Sequence, residues 1–221
     1  IQHDKYKFLG ASPDGINIDS NSERYGRMLE IKNPTTREIT GIPKEDYWIQ
    51  MQLQMETCNL NECDFLETSF KEYENEEDFY NDGTFTYTNE DELKGIMIYF
   101  IKQGKPFYQY MPLFYTKEEY DKWYNDTINK FSDLTWIKNI YWKLETYSCI
   151  LVLRNKLWFQ HAIPLIENVW KTIENDKING YEHRISKKSR TSRSNTINET
   201  IPNKCLINTD DLQKNIIYID T

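Results

Sequence analysis

The sequence predicts an α/β fold, a central mixed sheet flanked by helices, on three observations. Short strand-like runs alternate with segments of helical character along the 221 residues. A strong turn signal, Pro13-Asp14-Gly15, stands ahead of the first well-marked strand. Two runs rich in Ile, Tyr and Phe, over 95–103 and 106–114, are separated by Gly104-Lys105 as in a hairpin.

Taken in order, a short apolar segment at 6–11 leads into the turn that carries Asp14. Residues 27–32 form a strand whose side chains alternate in direction, so Glu30 and Lys32 project from one face and Leu29 and Ile31 from the other. The apolar pair is expected to face the core, and Asn33-Pro34 ends the strand directly after Lys32. Within 47–55, Gln50-Met51-Gln52-Leu53-Gln54-Met55 alternates polar and apolar, which by period alone argues a half-buried strand. Residues 63–70 read as a return strand. The acids over 72–82 and 90–92 read as a solvated loop or insertion. After the hairpin, Thr116-Lys117-Glu118-Glu119 opens a helix over 116–131 with a capping box, and 141–153 is a further strand. Residues 157–173 carry apolar side chains at Trp158, Ala162, Leu165, Val169 and Ile173, the pattern of an amphipathic helix packed on a sheet, with a kink expected at Pro164. At helical and strand spacing, Trp123, Trp136, Trp142, Trp158 and Trp170 are expected in the core rather than on a base-stacking surface.

Length and composition fit one soluble domain and a tail, with 38% hydrophobic residues and a mean hydropathy of −0.78. No apolar run approaches the roughly 20 residues of a membrane-spanning helix, and no signal-peptide pattern opens the chain. Cys58, Cys63, Cys149 and Cys205 show neither metal-ligand spacing nor a disulfide framework, so reduced buried thiols are expected and an iron–sulfur centre is not. The formal net charge of −8 is unevenly spread. Arg184, Lys187, Lys188, Arg190 and Arg193 fall in a serine-rich, acid-free stretch that reads as a flexible linker; it is a candidate for DNA contact, a targeting signal or a merely solubilising tail.

The chemistry is concentrated near the start. The turn at Pro13-Asp14-Gly15 can swing the Asp14 carboxylate beside Glu30, making an oxygen-rich pocket of the kind Mg²⁺ or Mn²⁺ prefers. A metal there polarises a phosphoryl oxygen and lowers the pKa of a bound water, and Lys32 is placed to position that water or to offset developing negative charge. Either motif alone supports a plainer reading, in which Asp14 is a turn former and Glu30 and Lys32 a solvated pair on an edge strand.

Four motifs in one order shift the balance. His3 followed by Phe8-Leu9-Gly10-Ala11-Ser12-Pro13-Asp14-Gly15, then Leu29-Glu30-Ile31-Lys32-Asn33-Pro34, then Tyr47 through Met55, then Cys63-Asp64-Phe65, together resemble the YqaJ-type viral recombinase nucleases, relatives of the phage lambda exonuclease in the PD-(D/E)xK superfamily. The resemblance covers residues 1 to about 70. It implies a restriction-endonuclease-like core over 1–182, with 183–221 as a basic, serine-rich linker and tail. It implies that Asp14, Glu30 and the Ile31 carbonyl bind Mg²⁺, with Mn²⁺ as an alternative, and that Lys32 is the catalytic lysine. It also implies that 47–55 is a helix, with Gln50 beside the site, Tyr47 one turn before it and Ser12 in support. On a helix, Tyr47, Gln50 and Gln54 share one stripe, and Trp48, Met51 and Met55 the adjoining apolar one. Gln52 and Gln54 are expected to be solvated or to bond between strands.

The activity implied is Mg²⁺-dependent hydrolysis of DNA phosphodiesters, with 5′–3′ exonucleolytic resection of double-stranded ends for viral recombination. The implied partners are double-stranded DNA, a single-strand annealing protein and further copies of the chain in a ring, with no membrane; the implied location is the cytoplasm of an infected host cell. An endonuclease or repair nuclease of the same fold, or an inactive DNA-binding fragment, are the alternatives. One departure bears on the last of these. The family places a helix with a further acidic ligand ahead of the strand entering Ser-Pro-Asp-Gly, whereas thirteen residues precede Asp14 here. The expectation is a domain lacking that helix, the C-terminal part of a larger reading frame or the product of a split or decayed gene, with His3 and Asp4 a surface pair that does not replace it.

Overall fold

A computed structural model describes residues 1–184. Its strands and helices, in chain order, are β1 (Gly15–Ile16), β2 (Met28–Lys32), α1 (Glu45–Cys58), β3 (Glu62–Glu72), α2 (Glu76–Asn81), β4 (Lys94–Lys102), β5 (Lys105–Tyr110), α3 (Lys117–Lys130), β6 (Thr135–Leu153) and α4 (Lys156–Asn179). The chain forms two compact units. One comprises Pro13–Met51 and Glu62–Val152; the other comprises Ile1–Ser12, Gln52–Asn61 and residues 153–184.

The first unit is built on a six-stranded mixed sheet in the order β1-β2-β3-β6-β4-β5. This α/β architecture is compatible with the restriction-endonuclease-like core that the sequence predicts. β1 pairs antiparallel with β2, and β2 pairs parallel with β3, the two strands that α1 connects. Charges pin that parallel register: Arg27 Nε bonds Glu62 Oε2 at 2.9 Å, Arg27 Nη1 bonds Asp64 Oδ1 at 3.1 Å, and Arg24 Nη1 bonds Asp64 Oδ2 at 3.1 Å. β4 and β5 form the expected hairpin. Gln103 and Gly104 at its tip have φ of 51° and 76°, the paired positive values of a primed turn whose twist matches the strands.

β4 also pairs antiparallel with β6, where Gly95 stands opposite Trp142. A Cβ on Gly95 would lie 2.6 Å from Trp142 Cζ2, so the indole lies in space that only glycine leaves open. Phe79, Ile96, Met111, Tyr120 and Tyr141 form a buried cluster with Tyr73, Phe85, Tyr115, Trp123 and Tyr124 packed around it, which brings α2 and α3 onto the sheet. Each of its large side chains contributes about 1.5–3 kcal/mol by leaving water. At α3 both halves of the capping box are present: Thr116 Oγ1 accepts from Glu119 N at 3.3 Å, and Thr116 N donates to Glu119 Oε2 at 2.8 Å.

The acidic stretch departs from the solvated loop expected of it. Asn75 caps α2, Glu76, Glu77 and Asp78 occupy its first turn where the helix dipole favours anions, and Phe79 enters the core. Asp82 accepts from Tyr73 Oη at 2.7 Å, Asn89 N at 2.9 Å and Lys143 Nζ at 2.9 Å. These bonds, the Asn89 amide foremost, hold its carboxyl well below the usual carboxylate range. Lys94 is fully buried, donating to the carbonyls of Phe79 (2.5 Å) and Asp82 at the end of α2, and desolvation lowers its pKa. The tryptophans divide: Trp158 is buried and Trp123 packs on the cluster, but Trp136 is exposed on β6 and does not belong to the core.

In the second unit His3 is buried rather than a surface residue. Its Nδ1 accepts from Lys5 N at 3.0 Å and Tyr6 N at 3.2 Å, and its ring stacks on Phe159 at 5.9 Å. Gln52, expected in solvent or between strands, is also buried. It donates to the Leu153 carbonyl at 3.0 Å and accepts from Asn155 N at 2.6 Å, immediately before α4. Asn155 caps that helix, which runs through Pro164. Trp158, Phe159, Ala162 and Ile163 are buried, whereas Leu165, Val169 and Ile173, expected on the packed face, are exposed. Of the thiols among the described residues, Cys63 is buried, Cys58 half-buried and Cys149 exposed, contrary to a uniformly buried set. No helix among the described residues is long and apolar enough to cross a membrane.

Candidate active site

β2 presents its acid inward. Met28 and Glu30 are buried, Glu30 to 1% exposure, with Lys32 half-buried beside them, whereas Ile31 on the opposite face is 38% exposed. This reverses the expectation that the apolar companions face the core. The reason is α1, which covers the Glu30 face: Tyr47 packs against Phe65 of β3 at 5.9 Å between ring centroids, and Gln50 bonds Glu30. A carboxylate so deeply placed needs compensating donors. Glu30 Oε1 receives the Lys32 ammonium in a short ion pair and the Gln50 side-chain amide at 2.6 Å.

Asp14 reaches the same strand from its edge. Gly15 is the register partner of Leu29, so Asp14, one residue earlier in an antiparallel pair, lies at the level of Glu30 and Ile31. Its Oδ2 accepts the Ile31 N–H at 2.7 Å, and the residue is otherwise exposed. Turn, strand and helix thus bring Asp14, Glu30, Ile31, Lys32 and Gln50 together. Tyr47 joins them through its ring, whose centroid lies 5.1 Å from Lys32 Nζ. Ser12 is exposed and belongs to the second unit. Arg184 is exposed and ion-paired with Asp176 at the end of α4; Lys187, Lys188, Arg190 and Arg193 lie outside the described residues.

Whether these groups suit a metal depends on their chemistry. Asp14 and Glu30 carboxylates and a main-chain carbonyl at Ile31 are hard oxygen donors, the set that Mg²⁺ or Mn²⁺ takes in preference to softer metals. No group of three or more His, Cys, Asp or Glu residues capable of holding a metal occurs among the described residues.

Two residues at this face were not anticipated. Glu67 of β3 is the register partner of Lys32 and is fully buried, and Arg37, from the loop after β2, ion-pairs with it. The available signal was parity: Glu67 is two residues beyond Phe65, so it faces the same way as that buried aromatic.

Two comparisons bear on this site. An uncharacterized protein of Acanthamoeba polyphaga mimivirus is 33% identical over 207 residues, covering 77% of this chain and 37% of that relative. The chain therefore spans little more than a third of the relative's length. Residues 1–61 match the YqaJ-like viral recombinase domain. The segment that supplies Asp14, Glu30, Ile31, Lys32, Tyr47 and Gln50 lies within the match to the YqaJ-like viral recombinase domain.

Proposed function

We propose that this chain is a Mg²⁺-dependent deoxyribonuclease that hydrolyses DNA phosphodiesters and resects double-stranded ends, 5′ to 3′, in viral recombination. The observation that carries this reading is the convergence of Lys32 and Gln50 on the buried Glu30, with Asp14 tied to the next amide along the strand. The similarity of residues 1–61 to the YqaJ-like viral recombinase domain supports it.

Asp14, Glu30 and the Ile31 carbonyl would hold the divalent cation. When bound, such an ion supplies Lewis acidity to the phosphoryl group and lowers the pKa of a coordinated water. In the hydrolysis a water oxygen forms a bond to phosphorus as the bond to the leaving ester oxygen breaks; the water gives up a proton and the leaving oxygen gains one. Lys32 carries three N–H donors at the edge of the pocket. Its ammonium orients the attacking water and offsets the charge that gathers on the phosphoryl oxygens. Gln50 holds Glu30 in one orientation, and Tyr47 limits the directions open to the Lys32 side chain.

The test is degradation of linear double-stranded DNA by the purified chain with Mg²⁺, beside EDTA and Lys32→Ala controls and a closed circular substrate. Loss of linear DNA alone, abolished by both controls, is expected. Folded protein that leaves linear DNA intact refutes the nuclease reading, and equal attack on closed circles replaces the exonuclease with an endonuclease.

A further inference from the structure

Lys32 has a second carboxylate beside it. Glu30 lies two positions back on β2, and Glu67 is its register partner on the adjoining parallel strand, one strand spacing of about 4.8 Å away. By parity, Glu30, Lys32, Phe65 and Glu67 share the face that α1 covers. Both acids are fully buried, yet the Lys32 ammonium sits on Glu30. Glu67 Oε1 is taken by Arg37 Nη2, and Glu67 Oε2 is buried without a hydrogen-bond partner. Arg37 is fixed from other sides as well: Nη1 donates to the Glu38 carbonyl at 3.2 Å, and the guanidinium lies 5.5 Å from the centroid of the Tyr47 ring that Lys32 also faces.

We infer that Arg37 is a positioning residue: by occupying Glu67 it leaves Lys32 on Glu30. The physical reason is competition. A buried carboxylate without a counter-charge is costly, and a lysine ammonium is a compact charge on a flexible stem that can turn to either neighbour. Without Arg37, Glu67 would draw Lys32 across by one strand and leave Glu30 to Gln50. The planar guanidinium, held at the Glu38 carbonyl and over Tyr47, cannot make the opposite exchange. The kinetic consequence rests on the nuclease reading above; the position of Lys32 does not.

The experiment compares Arg37→Gln, Glu67→Gln, the double variant and Arg37→Lys, by steady-state cleavage and by the crystal structure of Arg37→Gln. Arg37→Gln is expected to lower kcat about tenfold or more with KM within about twofold. The double variant, which removes the competing acid as well, is expected to recover to within about threefold of native, a rescue that a merely structural pair would not give. Arg37→Lys is expected to retain most of kcat, and in Arg37→Gln the Lys32 ammonium is expected on Glu67. The inference is overturned if Arg37→Gln keeps native kcat, if the folded double variant is no better than the single, or if Lys32 remains on Glu30 in the Arg37→Gln crystal. Should Arg37→Gln fail to fold, Glu67→Gln decides: native kcat upholds the inference and an approximately tenfold loss overturns it. A native chain without nuclease activity refutes the nuclease reading, and the Lys32 position still decides this one.

Discussion

Replacing Lys32 with alanine leaves the Glu30 carboxylate, 1% exposed, with the Gln50 amide at 2.6 Å but without the ammonium it now pairs with. A hydrogen bond to a charged group contributes about 1.5–3 kcal/mol, and breaking a fully buried ion pair costs about 3–5 kcal/mol. The Lys32 side chain is 22% exposed, so water partly replaces it and the lower range applies, about 2 kcal/mol. With a urea m-value of about 2 kcal/mol/M, the unfolding midpoint falls by about 1 M. Tryptophan fluorescence in a urea titration reads this at neutral pH. Glu30→Gln/Lys32→Met removes both charges and is expected to return to within about 0.5 kcal/mol of the native chain, because no unpaired charge is left buried. Both variants are expected to lack nuclease activity, so stability and catalysis separate. A Lys32→Ala midpoint equal to native, or a double variant as unstable as the single one, would refute the claim that this ion pair is what makes a buried Glu30 tolerable.

Gly95→Ala is expected to lower stability by about 1–3 kcal/mol, read by thermal unfolding, since its Cβ would press on the Trp142 indole; an unchanged Tm would show that the indole moves freely. Asp82 has a folded-state pKa held below its unfolded value near 3.9, so its contribution is present above that pH and is lost as pH falls through the folded value. Asp82→Asn should therefore be less stable than native at pH 7, by about 1.5 kcal/mol, with the gap narrowing as the pH drops below about 4 in a pH series of urea melts; a gap independent of pH counts against the ionised-carboxylate account. Burial and neighbouring acids push the Cys63 thiol up to about 12, whereas Cys149 is exposed. Iodoacetamide at pH 8 should label Cys149 in the folded protein and Cys63 only after unfolding, by peptide mass spectrometry; early labelling of Cys63 would contradict its packing.

What could be read from the sequence was what depends on near neighbours. The capping box at Thr116, the hairpin between β4 and β5, whose turn falls at Gln103-Gly104, one residue before the expected Gly104-Lys105, and the end of β2 before Asn33-Pro34 are each specified within a few residues. Asp14, Glu30 and Lys32 were legible for the same reason, since a turn and a strand alternation suffice to bring them near one another. Helix α1 was not legible from period. Gln50-Met51-Gln52-Leu53-Gln54-Met55 alternates because Met51, Gln52, Gln54 and Met55 are all buried, so the helix has no continuous solvent face to produce a 3.6-residue period. Its glutamines are inside because they have partners there, Glu30 for Gln50 and the Leu153–Asn155 backbone for Gln52, and those partners are 20 to 103 residues distant. The Arg37–Glu67 pair, separated by 30 residues, was likewise not local, and the acid-rich stretch around α2 read as solvent although Phe79 in its midst packs in the core on residues of later strands and α3.

The two carboxylates are unlike, and the difference bears on how the site would work. Glu30 is buried, and the cost of removing its charge from water is offset within the fold by Lys32 and Gln50. Asp14 is exposed on a turn and held by one main-chain N–H. On the proposed reading, a cation arriving from solvent would meet a carboxylate still largely hydrated on one side and one already oriented on the other, which would leave little reorganisation for the moment of reaction. Lys32 is common to both requirements. It is the counter-charge that makes the inward Glu30 tolerable, and it is the donor that the proposed chemistry needs at the phosphoryl group. A strand parity that places acid and lysine on the covered face, rather than the solvated one, is what allows a single side chain to serve both ends.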